Sequence, residues 1–181
     1  GEGPAADARR GFAMANSLET AGRHSEALLV YRRIGSLSPQ FADEAGLGAA
    51  RCLLAMDRPA PALAALEPLG VPAANCLERE KLALAGQALL LQRKYKTAES
   101  ALSRALNGAG EECSGLPWEA AAYANFGKAL LENDKTGEAS RAYGTAARLY
   151  AVAGRMDKAA TCRDLQATID EWLAERYRRG Y

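Results

Sequence analysis

Four cysteines and one histidine are the residues of this 181-residue chain best able to do chemistry: Cys52, Cys76, Cys113, Cys162 and His24. A zinc site needs thiolates and imidazoles in closely spaced pairs, and here no C-x-x-C pair occurs and His24 stands alone. A nucleophilic Ser, Cys or Thr needs a base beside it, and the one imidazole lies in a turn between Arg23 and Ser25, where an exposed side chain is expected. The paired carboxylates Glu78/Glu80 and Glu111/Glu112 fall at loop–helix junctions, where acids complement the positive helix start. Gly108, Gly110 and Gly115 lack the preceding strand and following lysine of a phosphate-cradling loop. We therefore expect no catalytic residue, no metal, no cofactor and no small-molecule substrate.

The bulk properties narrow the partner class. Net charge is +1, with 25% charged and 7% aromatic residues, so the chain is not electrostatically committed to nucleic acid. No period-two alternation marks strands, and no apolar run approaches a membrane span. The chain opens Gly1-Glu2-Gly3-Pro4 without a secretory apolar region. Cytoplasm is favoured, with periplasm or membrane anchoring left open to a removed N-terminal signal.

Any positioning framework must come from helices, and these repeat. The small residues Ala27, Ala62, Ala98 and Ala139 follow one another at 35, 36 and 41 residues (27 to 62, 62 to 98, 98 to 139). Four positions after each stands Tyr31, Leu66, Leu102 or Tyr143, and seven after, Ile34, Leu69, Ala105 or Ala146. These offsets share one helical face. The small residue admits a close neighbouring helix, and the large one fills the space between units. A period in the mid-thirties is the length of one helix–turn–helix unit that buries its apolar face only by stacking.

Helix starts and stops follow from proline, glycine and capping residues. Helices are expected over 6–21, 25–36 (with Ser25 as cap), 42–56, 61–69, 77–92, 95–106, 118–132, 136–152 and 157–178. Pro59 and Pro61 suit a turn and a first helical position, Pro68 shortens the fourth helix, and Gly70-Val71-Pro72 breaks the chain after it. The connection from Asn107-Gly108-Ala109-Gly110 to Gly115-Leu116-Pro117 holds the extra residues of the 41-residue step. Ala159, 20 residues beyond Ala139, suggests that the eighth helix also opens a partial fifth unit. The last helix carries the apolar stripe Cys162, Leu165, Ile169, Trp172 and Leu173 opposite charged residues, as a closing helix needs. The basic end from Glu175 to Tyr181 reads as a solvated helix terminus, with a partner contact as the alternative.

Cys52 and Cys162 lie within helical apolar patterns and read as small core residues. Cys76 and Cys113 precede first helices, and in a stacked array those connections share an edge. A disulfide and two free thiols both remain open there.

The chain resembles a tetratricopeptide repeat (TPR) protein. Its first unit carries Gly22, Ala27, Tyr31, Ile34 and Pro39 in the family's pattern. The third carries Gly86, Leu89, Ala98, Leu102 and Ala105, and the fourth Gly127, Leu130, Ala139, Tyr143 and Ala146. The second retains Leu53, Ala62, Leu66 and Leu69, and the family's first-helix tryptophan is replaced by Gly11, Gly46, Leu82 and Tyr123. The resemblance implies an all-α, right-handed α-solenoid of about four units (8–41, 42–76, 77–115 and 117–153) with a long C-terminal capping helix over 157–179.

It also implies a concave groove lined by the first helix of each unit. By register the groove rows are Asn16, Arg51, Gln87 and Lys128; Phe12, Leu47, Ala83 and Ala124; and Glu19, Leu54, Leu90 and Leu131. The first row suits hydrogen bonds to a peptide or a pair with its carboxylate, and the others apolar anchorage. Leu90 and Leu131 could equally pack between helices. The family's clamp for acidic chaperone tails is absent, since Asn16 alone matches it and Phe12, Gly48, Glu80 and Leu84 occupy the other places.

The implied function is a non-catalytic adaptor or chaperone-like scaffold for a protein segment. The residue usage looks bacterial, which by analogy points to secretion, pilus or envelope assembly. Self-association as a homo-oligomer is the alternative, and nucleic-acid binding the weakest reading.

Overall fold

The computed structural model describes residues 3–70, 76–107, 113 and 115–180. Val71, Pro72, Gly108, Ala109, Gly110, Glu111, Glu112 and Tyr181, used above, lie outside the described residues. Nine α-helices follow in order among the described residues: α1 (Pro4–Thr20), α2 (His24–Leu37), α3 (Ala42–Ala55), α4 (Pro59–Leu66), α5 (Cys76–Leu91), α6 (Tyr95–Leu106), α7 (Glu119–Glu132), α8 (Thr136–Val152) and α9 (Met156–Arg178). A 3-10 turn, Pro39–Phe41, leads into α3. Each helix packs on the next in the chain, so the molecule is a stack of helical pairs. The expected bounds hold within two residues for all but α4, which starts at Pro59 and stops at Leu66, just short of Pro68.

The anchor alanines explain the stacking. Ala27, Ala62, Ala98, Ala139 and the fifth, Ala159, are each 0% exposed. Their large partners Tyr31, Leu66, Leu102 and Tyr143 are buried with them. Facing helices meet Tyr31, Leu102 and Tyr143 with glycine, at Gly48, Gly86 and Gly127. A methyl on Gly86 would lie 2.4 Å from Leu102 Cγ, and one on Gly48 2.4 Å from the Tyr31 ring.

Five turns join helices by one geometry. Gly22, Asp57, Arg93, Asp134 and Gly154 all have positive φ, between 57° and 78°. The following amides, from Arg23, Arg58, Lys94, Lys135 and Arg155, donate back to the carbonyls of Leu18, Leu53, Leu89, Leu130 and Tyr150. This closes each helix with a Schellman arrangement and opens the next within two residues. So tight a turn leaves no place for a side-chain cap. The residue before α2 is Arg23, without a cap bond, and Ser25 is not the cap expected for it. The same turn joins α8 to α9, so α8 serves as both second and first helix.

The outer faces are less apolar than the internal ones. Along α3, Ala45 and Cys52 are buried; 35 residues earlier, α1 carries Arg10 and Ser17, both exposed. On α9, Arg163 stands where α8 has Tyr143, four residues after the anchor. Of the expected apolar stripe on α9, Cys162 and Ile169 are buried and Leu173 is half-buried, while Leu165 and Trp172 are 39% and 46% exposed.

Four substitutions test this account by denaturant unfolding. Gly86→Ala lowers stability by about 1–3 kcal/mol through overpacking against Leu102, whereas Gly137→Ala, with open space around it, raises stability by up to about 1 kcal/mol. Arg93→Gly relieves about 1 kcal/mol of left-handed strain, offset in part by unfolded-chain entropy. It should stabilise more than Asp57→Gly, because aspartate tolerates that backbone region better.

Candidate functional site: a concave cavity

The inner face of the stack is built from the first helices of successive pairs. The C-terminal half of α1 supplies Asn16, Glu19 and Thr20, α3 supplies Arg51, and the first turns of α5 supply Cys76, Leu77 and Glu80. With His24, Leu116, Pro117, Trp118 and Arg155 they line a cavity of about 930 Å³. Arg155, at the α8–α9 turn, thus shares a hollow with α1 from the opposite end of the chain. A second hollow of about 560 Å³ continues the first, sharing Asn16, Arg51, Leu77 and Glu80 and adding Phe12, Tyr31 and Leu47 among others.

Arg51 sits at the centre of the polar wall. Its Nε donates to Glu19 Oε2 at 3.0 Å and its NH1 to Glu80 Oε1 at 2.6 Å. Its NH2 reaches Glu19 Oε1 at 3.4 Å and the Tyr31 hydroxyl at 3.3 Å, and the guanidinium lies 5.7 Å from the Tyr31 ring centroid. The single Tyr31 hydroxyl proton is shared between Asn16 Oδ1 and Glu19 Oε1, each at 2.8 Å. Burial works against the Arg51 charge, but the hydrogen bond to Glu19 and the fields of Glu19 and Glu80 outweigh it and raise its pKa. Burial first, then the hydrogen bond to Glu19, push the Tyr31 phenol up to about 12.

The apolar part of the lining is Leu77, Leu116, Pro117 and Trp118, and Arg79 braces it. Arg79 Nε donates to Ala105 O at 2.6 Å and its NH1 to Cys113 O at 2.8 Å, while its guanidinium lies 5.4 Å from the Trp118 ring centroid. One side chain thus satisfies the end of α6 and braces the approach to α7. Cys76 and Cys113 form a disulfide across the same place, with Cα atoms 5.4 Å apart and a sequence separation of 37. A closure of that length removes roughly 4 kcal/mol of unfolded-chain entropy. The Leu116 amide donates to Glu119 Oε1 at 2.9 Å, fixing the entry to α7.

The groove residues expected from the sequence are distributed unevenly. Asn16, Glu19 and Arg51 line the main cavity, and Phe12 and Leu47 the adjoining hollow, although Leu47 is almost wholly buried. Leu54 and Leu90 are each 5% exposed, inside the packing between helices. Gln87 is half-buried and Lys128 exposed, neither of them lining these two hollows, and Leu131 is exposed. Arg51 already serves Glu19, Glu80 and Tyr31, so little of its hydrogen-bonding capacity is left for a ligand carboxylate.

Other residues depart from the sequence reading. His24 is half-buried on the cavity wall rather than exposed, and its Nδ1 is buried with no partner among the described residues. Glu80 was expected to complement a helix start; it pairs instead with Arg51 across units. Opposite charges on adjacent first helices were the available signal for that pair. Leu77, Trp118 and Arg155 carried none, because they meet only through the curvature of the stack. Among the described residues no group of His, Cys, Asp and Glu could hold a metal ion, and no helix is long and apolar enough to cross a membrane.

No protein-family model matches the chain, and no curated protein matches it in sequence. Solved structures do match its shape. A Podosopora anserina protein of nearly identical TPR-like repeats aligns with TM-score 0.64 at 14% identity, covering 94% of this chain and 97% of its own. YrrB, a TPR protein with an unusual peptide-binding site, aligns with TM-score 0.51 at 21% identity, over 91% of this chain and 88% of its own. MamA aligns with TM-score 0.51 at 19% identity, over 89% and 96%. The fold is therefore the TPR fold along most of the chain.

Two measurements probe the polar wall. Arg51→Met leaves Glu19 and Glu80 facing each other without their cation and costs about 2 kcal/mol, discounted for the partial exposure of the site, in chemical denaturation. The raised Tyr31 pKa makes its stabilisation complete below the unfolded value of 10.0 and lost as pH climbs toward about 12. Tyr31→Phe flattens that alkaline decline. It does not abolish it, because burial also raises Tyr143 and Tyr150.

Proposed function

We propose that the chain is a non-catalytic protein-interaction scaffold that holds an extended segment or helix of a partner in its concave cavity. The observation that carries this is the mixed lining. Asn16, Thr20 and His24 give it polar groups, and Leu77, Leu116, Pro117 and Trp118 give it an apolar part. A partner's main chain bonds to the polar groups while an apolar side chain is sheltered by the apolar part. Asn16 is suited to this, since the residue is exposed and its Oδ1 accepts from Tyr31, so its amide group can donate to a partner. With Arg51 neutralised by Glu19 and Glu80, capture does not run through a carboxylate at Arg51. The composition fits a bacterial adaptor or chaperone-like role in secretion, pilus or envelope assembly.

A second reading, self-association, draws on exposed Leu165 and Trp172 of α9. Light scattering over a range of concentrations separates it: a strictly monomeric solution removes it.

Selection from a random-peptide display library on the oxidised chain should yield peptides with an apolar or aromatic anchor. Asn16→Ala should weaken those peptides by roughly tenfold, the loss of about one good hydrogen bond, and Leu77→Glu should abolish capture while far-UV circular dichroism stays unchanged. Undiminished capture by Leu77→Glu would place the site elsewhere on the molecule.

A further inference from the structure

The disulfide is not spread through the fold but sits on the wall of the cavity. Cys76 opens α5 and lines the hollow beside Leu77, while Cys113 is 5% exposed behind it. Two residues beyond Cys113 begins the short described stretch that leads into α7 and supplies Leu116, Pro117 and Trp118. The covalent bond and Arg79 tie this stretch to α5, and Trp118 also packs against the core that α5 shares with α6 and α7. The remaining thiols, Cys52 and Cys162, are buried, and burial raises both their pKa values, so neither competes in exchange.

We propose that the Cys76–Cys113 disulfide is a redox-operated clasp on the cavity. Oxidised, it holds the Leu116–Pro117–Trp118 wall against α5 and completes the apolar side. Reduced, it frees that wall and weakens capture. The inference rests on the groove reading for its effect on binding, but the movement of the wall is independent of it. The reductant is a dithiol. Its thiolate attacks Cys76 Sγ, the sulfur on the cavity wall, forming a mixed disulfide as the bond to Cys113 breaks and Cys113 leaves as thiolate. The second thiol of the reductant then displaces Cys76. Two electrons and two protons pass to the pair, and the dithiol ends as a disulfide. The scaffold then belongs where protein thiols are kept oxidised, and its groove is finished only on arrival there.

The test uses the full chain with Trp172→Phe, which leaves Trp118 as its sole tryptophan. Its emission, the hydrogen exchange of residues 115–118 and the Kd of the display-selected peptides are compared in oxidised protein, protein treated with dithiothreitol and the Cys76→Ser/Cys113→Ser variant. Both reduced forms should keep their helicity, shift Trp118 emission to the red and exchange faster over 115–118. They should bind about tenfold more weakly, as expected if the wall is in place only a tenth of the time. If Arg79 alone holds the wall, Trp118 and exchange stay unchanged on reduction and the clasp is overturned. A Trp118 shift with unaltered Kd overturns control of capture. If no displayed peptide binds even the oxidised chain, the groove reading fails, and the wall's response to reduction decides the clasp alone.

Discussion

The contact on which this structure depends is that between a methyl-sized side chain and the helix lying across it. Ala27, Ala62, Ala98, Ala139 and Ala159 have no exposed surface. Each sits four residues after the amino acid whose carbonyl accepts its amide at the start of a second helix: Arg23, Arg58, Lys94, Lys135 and Arg155. The turn and the close approach are thus a single local constraint. A left-handed residue ends one helix, the next begins within two residues, and its first full turn brings the alanine against the neighbour. Glycine opposite a large side chain extends the same logic, as at Gly86 and Leu102. Repeating that constraint determines where helices pair, and it leaves their outer and inner faces free to differ.

Stacked arrays of this kind are held mainly by nearest-neighbour terms, and the polar contacts here add reach beyond that. Arg51 in the second pair binds Glu19 of the first and Glu80 of the third, spanning three units with one guanidinium. Glu99 of α6 accepts from Lys135 at 2.8 Å and from Asn133 at 3.2 Å, tying the third pair to the turn of the fourth. Ser140 donates to Asp170 between α8 and α9. These links lie where curvature would otherwise be free to vary. The one nearest the cavity also pairs its central charge within the fold, since a cation already serving two carboxylates has little left to offer a third. A groove that looks charged by residue type is, by geometry, closer to neutral.

What was legible in the sequence follows from the range of the forces involved. Helix ends rest on proline, on left-handed turn residues and on periodic apolar positions, all readable within a few residues, and the bounds of α6 and α8 were expected to the residue. The buried faces of second helices were readable for the same reason. Ser25 misled because serine caps are common, yet the turn before α2 is too short to use one. Leu54 misled, and Leu90 stayed open between groove and packing, because register assigns a face to a residue without saying how deeply its neighbour covers that face. His24 and Arg155 share a hollow although 131 residues separate them (24 to 155). Their meeting is set by the summed curvature of the stack, which no local period encodes. The cysteine pair lay between these cases: a shared edge made a bond conceivable, and only the placement of α5 against the approach to α7 decided it.

The irregular step of the array gains meaning from this. The 35-residue step leaves four residues between α2 and α3, the 36-residue step nine between α4 and α5, and the 41-residue step twelve between α6 and α7. That longest connection is where Leu116, Pro117 and Trp118 line the hollow. Extra chain between packed elements costs order, and here the order is restored twice, by Arg79 bonding to the carbonyls of Ala105 and Cys113 and by the covalent tie to Cys76. Had the added residues served only to bridge a gap, one of these restraints would suffice, and neither would need to lie on the inner face. The covalent tie does lie there, through Cys76, which sets the insertion apart from a tolerated loop and makes it part of the cavity wall.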